Sequence, residues 1–482
     1  MTMAVRANSP WRVSVTASEL VLPDSGVRSA WLEFHQAVDS HDPTRPLVLA
    51  LPGTLPDGGM SDFGLRMQAV LTWGQRATRP VLRLVGYEHG DDGSIFQDAS
   101  DHHLVAASLA HGILDHEGND VTSDLTPLLR IALATRRELP ELSPAHLERG
   151  RHSILLASHL PRQSRSLDLH TRKGRGWGIE EEARTLYHDI WRERGVTESL
   201  RDPWMEQDEQ LVPEQAPTHI TRTEWPVGHP LAESATPFVP LASRTLSPTG
   251  RALELATQTR VQERRISDEV GEVLFELIQN TEWHGLPPQS GNGRGCRVVS
   301  FDVAKTSRST LPSLPETDSY FARYAEALLD EFAADPSVDS SVLLGVATIV
   351  DSGLGLARSA ASALKQDHLF TTSNEVTYLI KALDKSVRVS RRAMGNIGLP
   401  RVQQLLSNLR GFMSIRTGQT EIHRDFLRNP FEDLARHEGR TRPSQFVDWL
   451  PETYEDFAVG PRVGTDVTIM FPVAYEKDGV RL

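Results

Sequence analysis

One cysteine, Cys296, stands in a chain of 482 residues. A single cysteine closes no internal disulfide and supplies no CxxC zinc pair, so disulfide scaffolds and cysteine zinc sites are excluded. Its scarcity fits a reducing, cytoplasmic setting. Lysine is scarce too: Lys173, Lys305, Lys365, Lys381, Lys385 and Lys477 are the six among 51 basic residues. None follows a glycine. That excludes the Gly-Lys-Ser/Thr phosphate loop and the ATPases built on it. No run reaches the roughly 20 apolar residues of a membrane span. The N-terminal MTMAVRANSPWRVSV has no apolar core of the secretory-signal kind. Basic charge is in deficit, 51 − 64 = −13. Proteins that coat nucleic acid need a cationic face, so nucleic acid is not the expected partner.

What is present suffices for real cores: 39% of the residues are hydrophobic and 24% charged. Seven prolines fall between residues 211 and 250, at 213, 217, 226, 230, 237, 240 and 248. Proline fixes φ and removes a donor, so this stretch is expected to be an extended linker. It divides the chain into an N-terminal domain of unassigned role, 1–210, and a C-terminal domain, 251–482.

The N-terminal part alternates. The apolar runs 45–53 and 79–87 read as buried strands. Residues 61–77 between them have helical spacing, 102–118 are ambiguous, and 181–195 read as a helix. A mixed α/β domain is expected. The C-terminal part reads as a helix ending near Gly285, a strand (296–305), a helix (318–335) and a buried strand running into a glycine turn (341–355). A helix (374–387), a helix (399–411), a strand (412–418) and a final strand (464–473) follow.

Four features of this half carry chemistry. Glu276 and Asn280 are four apart, so they share a helix face, with His284 one turn on. An amide oxygen is a hard ligand for Mg²⁺, and a carboxylate can orient or deprotonate water. A strand ends in DSGLG, where Asp351 can accept from an exocyclic amine and Gly353 and Gly355 allow a flat ring close approach. MGNIGL sets Gly395 and Gly398 before a helix, whose N-terminal amides suit an anion. Thr465 opens the last apolar strand and brings a hydroxyl.

The segments ELIQNTEWHG, DSGLG, GNIGL and GTDVTIMFP, in this order, resemble the motifs of the GHKL ATPase superfamily. Gyrase B, heat-shock chaperones, histidine kinases and MutL belong to it. The resemblance covers roughly residues 255–475. It implies a two-layer α/β sandwich that binds ATP and Mg²⁺, with Asn280 on the metal and Asp351 on the adenine amine. It further implies Gly353 and Gly355 beside the base, Gly395, Gly398 and Leu399 over the phosphates, and Thr465 at the adenine end. Residues 356–394 would be a lid closing on the nucleotide, coupled to the N-terminal domain or to a protein partner, with homodimers common in the superfamily. Glu276 matches the general base of the gyrase, chaperone and MutL branches. It also matches the anti-sigma serine kinases, so an ATPase, a serine protein kinase and a non-hydrolysing ATP-regulated module all stand as alternatives. The sequence departs from the pattern in Thr281, where alanine is usual, and in a shortened second glycine box.

Three other segments are set aside. Residues 290–305 imitate a kinase glycine loop, but no catalytic loop follows. HDPTRPL at 41–47 imitates a phosphoacceptor box, but Pro43 breaks the helix it needs. The basic residues 151–175 read as a solvated loop.

Overall fold

The computed structural model describes residues 19–23, 27–53, 55, 62–87, 101–122, 125, 152–156, 269–274, 276–277, 280–281, 297–314, 319–332, 340–383, 398–431, 462–477 and 480–481. The fold is mixed α/β, with one parallel and one antiparallel sheet. The expected linker (211–250) and the expected helix at 181–195 lie outside the described residues, as do His284 and Gly395.

The first sheet holds β1 (Glu19–Val21), β2 (Leu47–Pro52), β3 (Pro80–Val85) and β4 (Gly112–Leu114), adjacent in that order and all parallel. Parallel neighbours need crossovers, and helices supply them. These are α1 (Arg28–Asp39), α2 (Asp62–Arg76) and α3 (Asp101–Leu109). The core joins Leu49, Leu51, Leu82 and Leu84 of the strands to Phe34, Val70, Trp73 and Leu104 of the helices. Trp73 also donates its indole N–H to the carbonyl of Leu47 at 3.0 Å, which pins α2 to β2.

The second sheet runs β5 (His152–Leu156), β6 (Arg297–Ser307), β7 (Ser340–Asp351), β10 (Thr465–Lys477), β8 (Phe412–Thr417) and β9 (Thr420–Asp425). Every pairing is antiparallel, and the short β11 (Val480–Arg481) pairs with β10. Its edge strand β5 comes from the first 210 residues of the chain, so the N-terminal part contributes to both sheets.

Alternation along the strands gives this sheet two faces. On the front, Ala347, Ile349, Met413, Ile415, Val467 and Ile469 share a core with four helices. These are α4 (helical at 269–274, 276–277 and 280–281), α6 (Leu356–Ala363), α7 (Glu375–Leu383) and α8 (Gly398–Leu409). On the back, Val342, Leu344, Val346, Phe412 and Met470 pack on α5 (Ser319–Phe332). Farther along the same back face, Val298 and Val350 join the core of the parallel sheet. Helix α2 touches both β7 and β10, and its residues 62–74 are all buried. It is therefore a central helix between two sheets. Among the described residues no helix is long and apolar enough to cross a membrane.

Candidate functional site

The front face carries two clusters. The first joins α4 to the N-terminus of α8. Glu276 and Asn280 are both half-buried and one helical turn apart. Leu277 beside Glu276 is core, so the apolar side of α4 fixes which way its polar side faces. The two polar side chains converge on Gly398, the first residue of α8. A methyl group there would stand 3.2 Å from Glu276 Oε2 and 3.3 Å from Asn280 Oδ1. Glycine is what lets the α8 backbone approach these oxygens. The Nδ2 of Asn280 is buried and makes no hydrogen bond. One turn before Glu276, Glu272 takes a bidentate pair of hydrogen bonds from Arg401, at 2.6 and 2.9 Å. Those bonds raise the Arg401 guanidinium above its ordinary value, and they tie α4 to α8.

The second cluster is the turn after β7. Asp351 is buried, and its Oδ1 accepts the N–H of Gly353 at 2.8 Å. Gly355 has φ +85°, and a methyl group on it would meet the Thr417 hydroxyl at 2.5 Å. A side chain is doubly disfavoured there. The next N–H, of Leu356, begins α6 and faces two hydroxyls. Thr417 Oγ1 lies 3.1 Å away and Thr465 Oγ1 3.0 Å away. Thr417 in turn donates to the carbonyl of Gly464 at 3.1 Å. Gly464 has φ +72°, and a methyl group on it would collide with the carbonyl of Asp351. The turn, the entry to β10 and the end of β8 thus lock together at Asp351.

Both clusters rest on one core, since Leu277, Leu356 and Leu399 all belong to it. Glu276, Asn280 and Gly398 meet where α4 touches the start of α8, which Leu399 continues, and Asp351, Gly353, Gly355 and Thr465 meet at the turn after β7. Within the span assigned to a lid, α6 and α7 are set into this core through Leu356, Ala360, Leu379 and Leu383. Glu375 of α7 also clamps the β8–β9 turn, accepting from the N–H of Gln419 at 2.8 Å and the hydroxyl of Thr420 at 2.9 Å. Burial nonetheless raises the Glu375 carboxyl above the usual range. Between α6 and α7 most of residues 365–374 are exposed, and the rest of the span, 384–394, lies outside the described residues.

Two contributors were not singled out in the sequence. Thr417 has a weak signal: it sits opposite Thr465 in register and just before the Gly418 turn. Glu272 has a stronger one, lying four residues before Glu276 on the same face.

Comparison of the chain with protein-family models, curated proteins and solved structures finds no match.

Proposed function

We propose that residues 251–482 form a GHKL-type two-layer sandwich that binds ATP with Mg²⁺ and hydrolyses it in the cytoplasm. The observation that carries this reading is the convergence of Glu276 and Asn280 on Gly398 at the start of α8. Two oxygen donors meeting the backbone at a helix N-terminus suit a hard cation and an anionic phosphate together. The donor set fits Mg²⁺: Asn280 Oδ1 would hold it, and the bound ion would screen the phosphate charge. The buried, unpaired Nδ2 of Asn280 is a second polar atom in search of an acceptor, which a phosphate oxygen would supply.

The residues then divide the work. The amides of Gly398 and Leu399 cradle the phosphates. Glu276 orients the attacking water and takes its proton as the water oxygen bonds to the terminal phosphorus, while the bond from that phosphorus to the bridging oxygen breaks and ADP leaves. At the other end Asp351 accepts the adenine amine. The N–H of Gly353, donating to Asp351 Oδ1, fixes the rotamer of that carboxyl. Thr465 and Thr417 act on the ligand through the backbone, by holding the turn that carries Asp351.

Phosphate release tests the reading. The wild type turns over ATP, and Glu276→Ala abolishes turnover while keeping ATP bound. Labelled phosphate on a co-purified protein points instead to the serine-kinase alternative. Tight binding without turnover in the wild type identifies a regulatory module.

A further inference from the structure

The expected coupling to the N-terminal part has a concrete route on the back of the sheet. Thr417 and Thr465 point forward, into the turn that carries Asp351. Their strand neighbours Arg416 and Asp466 point backward and form a buried ion pair at 2.8 Å. Arg416 also pairs with Glu421 of β9 at 2.9 Å. Helix α2 of the parallel-sheet unit covers this pair with residues spaced i, i+4, i+8, which lie in one line. Gly64 lacks a side chain where the Asp466 carboxylate sits, and a methyl group there would overlap it. Gln68 donates to the carbonyl of Arg416 at 3.2 Å and accepts from Arg462 Nη1 at 3.2 Å. Thr72 accepts the N–H of Val463 at 3.1 Å while donating to the carbonyl of Gln68 at 2.7 Å.

These partners are backbone and side-chain groups at 416 and 462–463, next to the residues that build the base end. Gly464, between Val463 and Thr465, is the residue whose carbonyl Thr417 holds. Gln68 and Thr72 are both 0% exposed, so water does not compete for these bonds. Packed interiors shift between discrete arrangements rather than bending continuously. A displacement of α2 along its own axis therefore passes to residues 416 and 462–465 as a unit.

We infer that the Gly64–Gln68–Thr72 stripe of α2 positions the base end of the nucleotide site, so that the N-terminal unit sets nucleotide affinity and adenine selectivity. This inference rests on the proposed ATP site. Thr72 and Gln68 are positioning residues, and neither touches the nucleotide. By reciprocity, a nucleotide that orders the Asp351 turn also tightens α2.

The test uses the full chain. Thr72→Val keeps the shape of the side chain and removes the acceptor for Val463. The expected result is ATP affinity weakened about fivefold or more, the low end of typical coupling. The preference for ATP over GTP narrows, and Thr72→Ser restores both. A merely structural role would lower the melting temperature and leave that preference unchanged. In the wild type, a non-hydrolysable ATP analogue with Mg²⁺ slows amide exchange in residues 62–76, a measurement that needs no variant to fold. A wild type that binds ATP, with exchange in 62–76 unaltered and Thr72→Val equal to it in affinity and selectivity, overturns the inference alone. A wild type that binds no nucleotide removes the site and the inference together.

Discussion

Asn280 Oδ1 lies 3.3 Å from where a methyl group on Gly398 would stand, and Glu276 Oε2 lies 3.2 Å from it. Helix α8 therefore starts with its backbone against two oxygen donors from α4. Contacts in this range force the neighbours to move by a few tenths of an ångström. Gly398→Ala is expected to weaken Mg²⁺-ATP binding by several-fold. Alanine is the better helix former, by about 0.5–1 kcal/mol in helix interiors. Thermal unfolding of Gly398→Ala should thus show no loss of stability while calorimetry shows weaker binding. A parallel fall in both would place the residue in packing alone.

The two threonines at the Asp351 turn predict a non-additive pair. The N–H of Leu356 faces both hydroxyls. Either single valine substitution leaves the Leu356 N–H one acceptor; Thr465→Val should cost about 1 kcal/mol or less, and Thr417→Val, which also strands the buried carbonyl of Gly464, about 1–3 kcal/mol. The double substitution Thr417→Val with Thr465→Val strands a buried N–H, which costs about 1–3 kcal/mol on its own. Denaturant unfolding of the three variants should show a double-mutant loss larger than the sum of the singles. Simple additivity would mean that the hydroxyls act separately.

Gly355 predicts a larger effect from a smaller change. Its φ of +85° and its closeness to Thr417 Oγ1 both oppose a side chain. Gly355→Ala should lower stability by about 1–3 kcal/mol, the cost of a residue held in a sparsely populated backbone region. Urea unfolding measures it directly, and an unchanged midpoint would show that the turn relaxes freely.

His35 predicts an acid-side loss of stability. It is fully buried on α1, and neither ring nitrogen makes a hydrogen bond. Burial, then the charges of Arg462 and Arg76, hold its imidazole well below the ordinary value of 6.5. As pH falls through about 6.5 the unfolded chain binds the proton and the folded chain does not. Stability is therefore full above that pH and declines on acidification toward the lowered folded value. His103 adds to the same trend through burial, against a 2.6 Å hydrogen bond with the carbonyl of Pro52. Unfolding between pH 7.5 and 5 should show the decline, and His35→Leu should flatten part of it. An identical slope in the variant would clear His35 of the effect.

The local parts of the fold and site are legible in the sequence; the rest depends on distant partners. Glu276 and Asn280 announce a shared face by their spacing alone. The DSGLG turn and the glycine before α8 are likewise local, and the structure puts strand ends and helix starts within a few residues of where hydropathy sets them. Strand β9 escaped because TEIHRD carries charges that are buried only by remote partners. Glu421 is neutralised by Arg416, and Arg424 is held by Gln403 at 3.1 Å and by the carbonyls of Asn429 and Pro430. Helix α2 was legible as a helix, but its Gly64–Gln68–Thr72 line has meaning only against residues almost 400 positions later. Strand β5 was hidden for a related reason, since its partner β6 lies on the far side of the proline-rich stretch.

Titration calorimetry of ATP into the full chain, with Mg²⁺ and with the metal chelated, tests the central claim most directly. The wild type should bind one ATP per chain, and chelation should weaken it. Asn280→Ala should weaken Mg²⁺-ATP binding about tenfold or more, as expected for losing a bond to a charged group, and Asp351→Asn should erase the preference for ATP over GTP. A wild-type chain that binds no ATP in either condition would contradict the account.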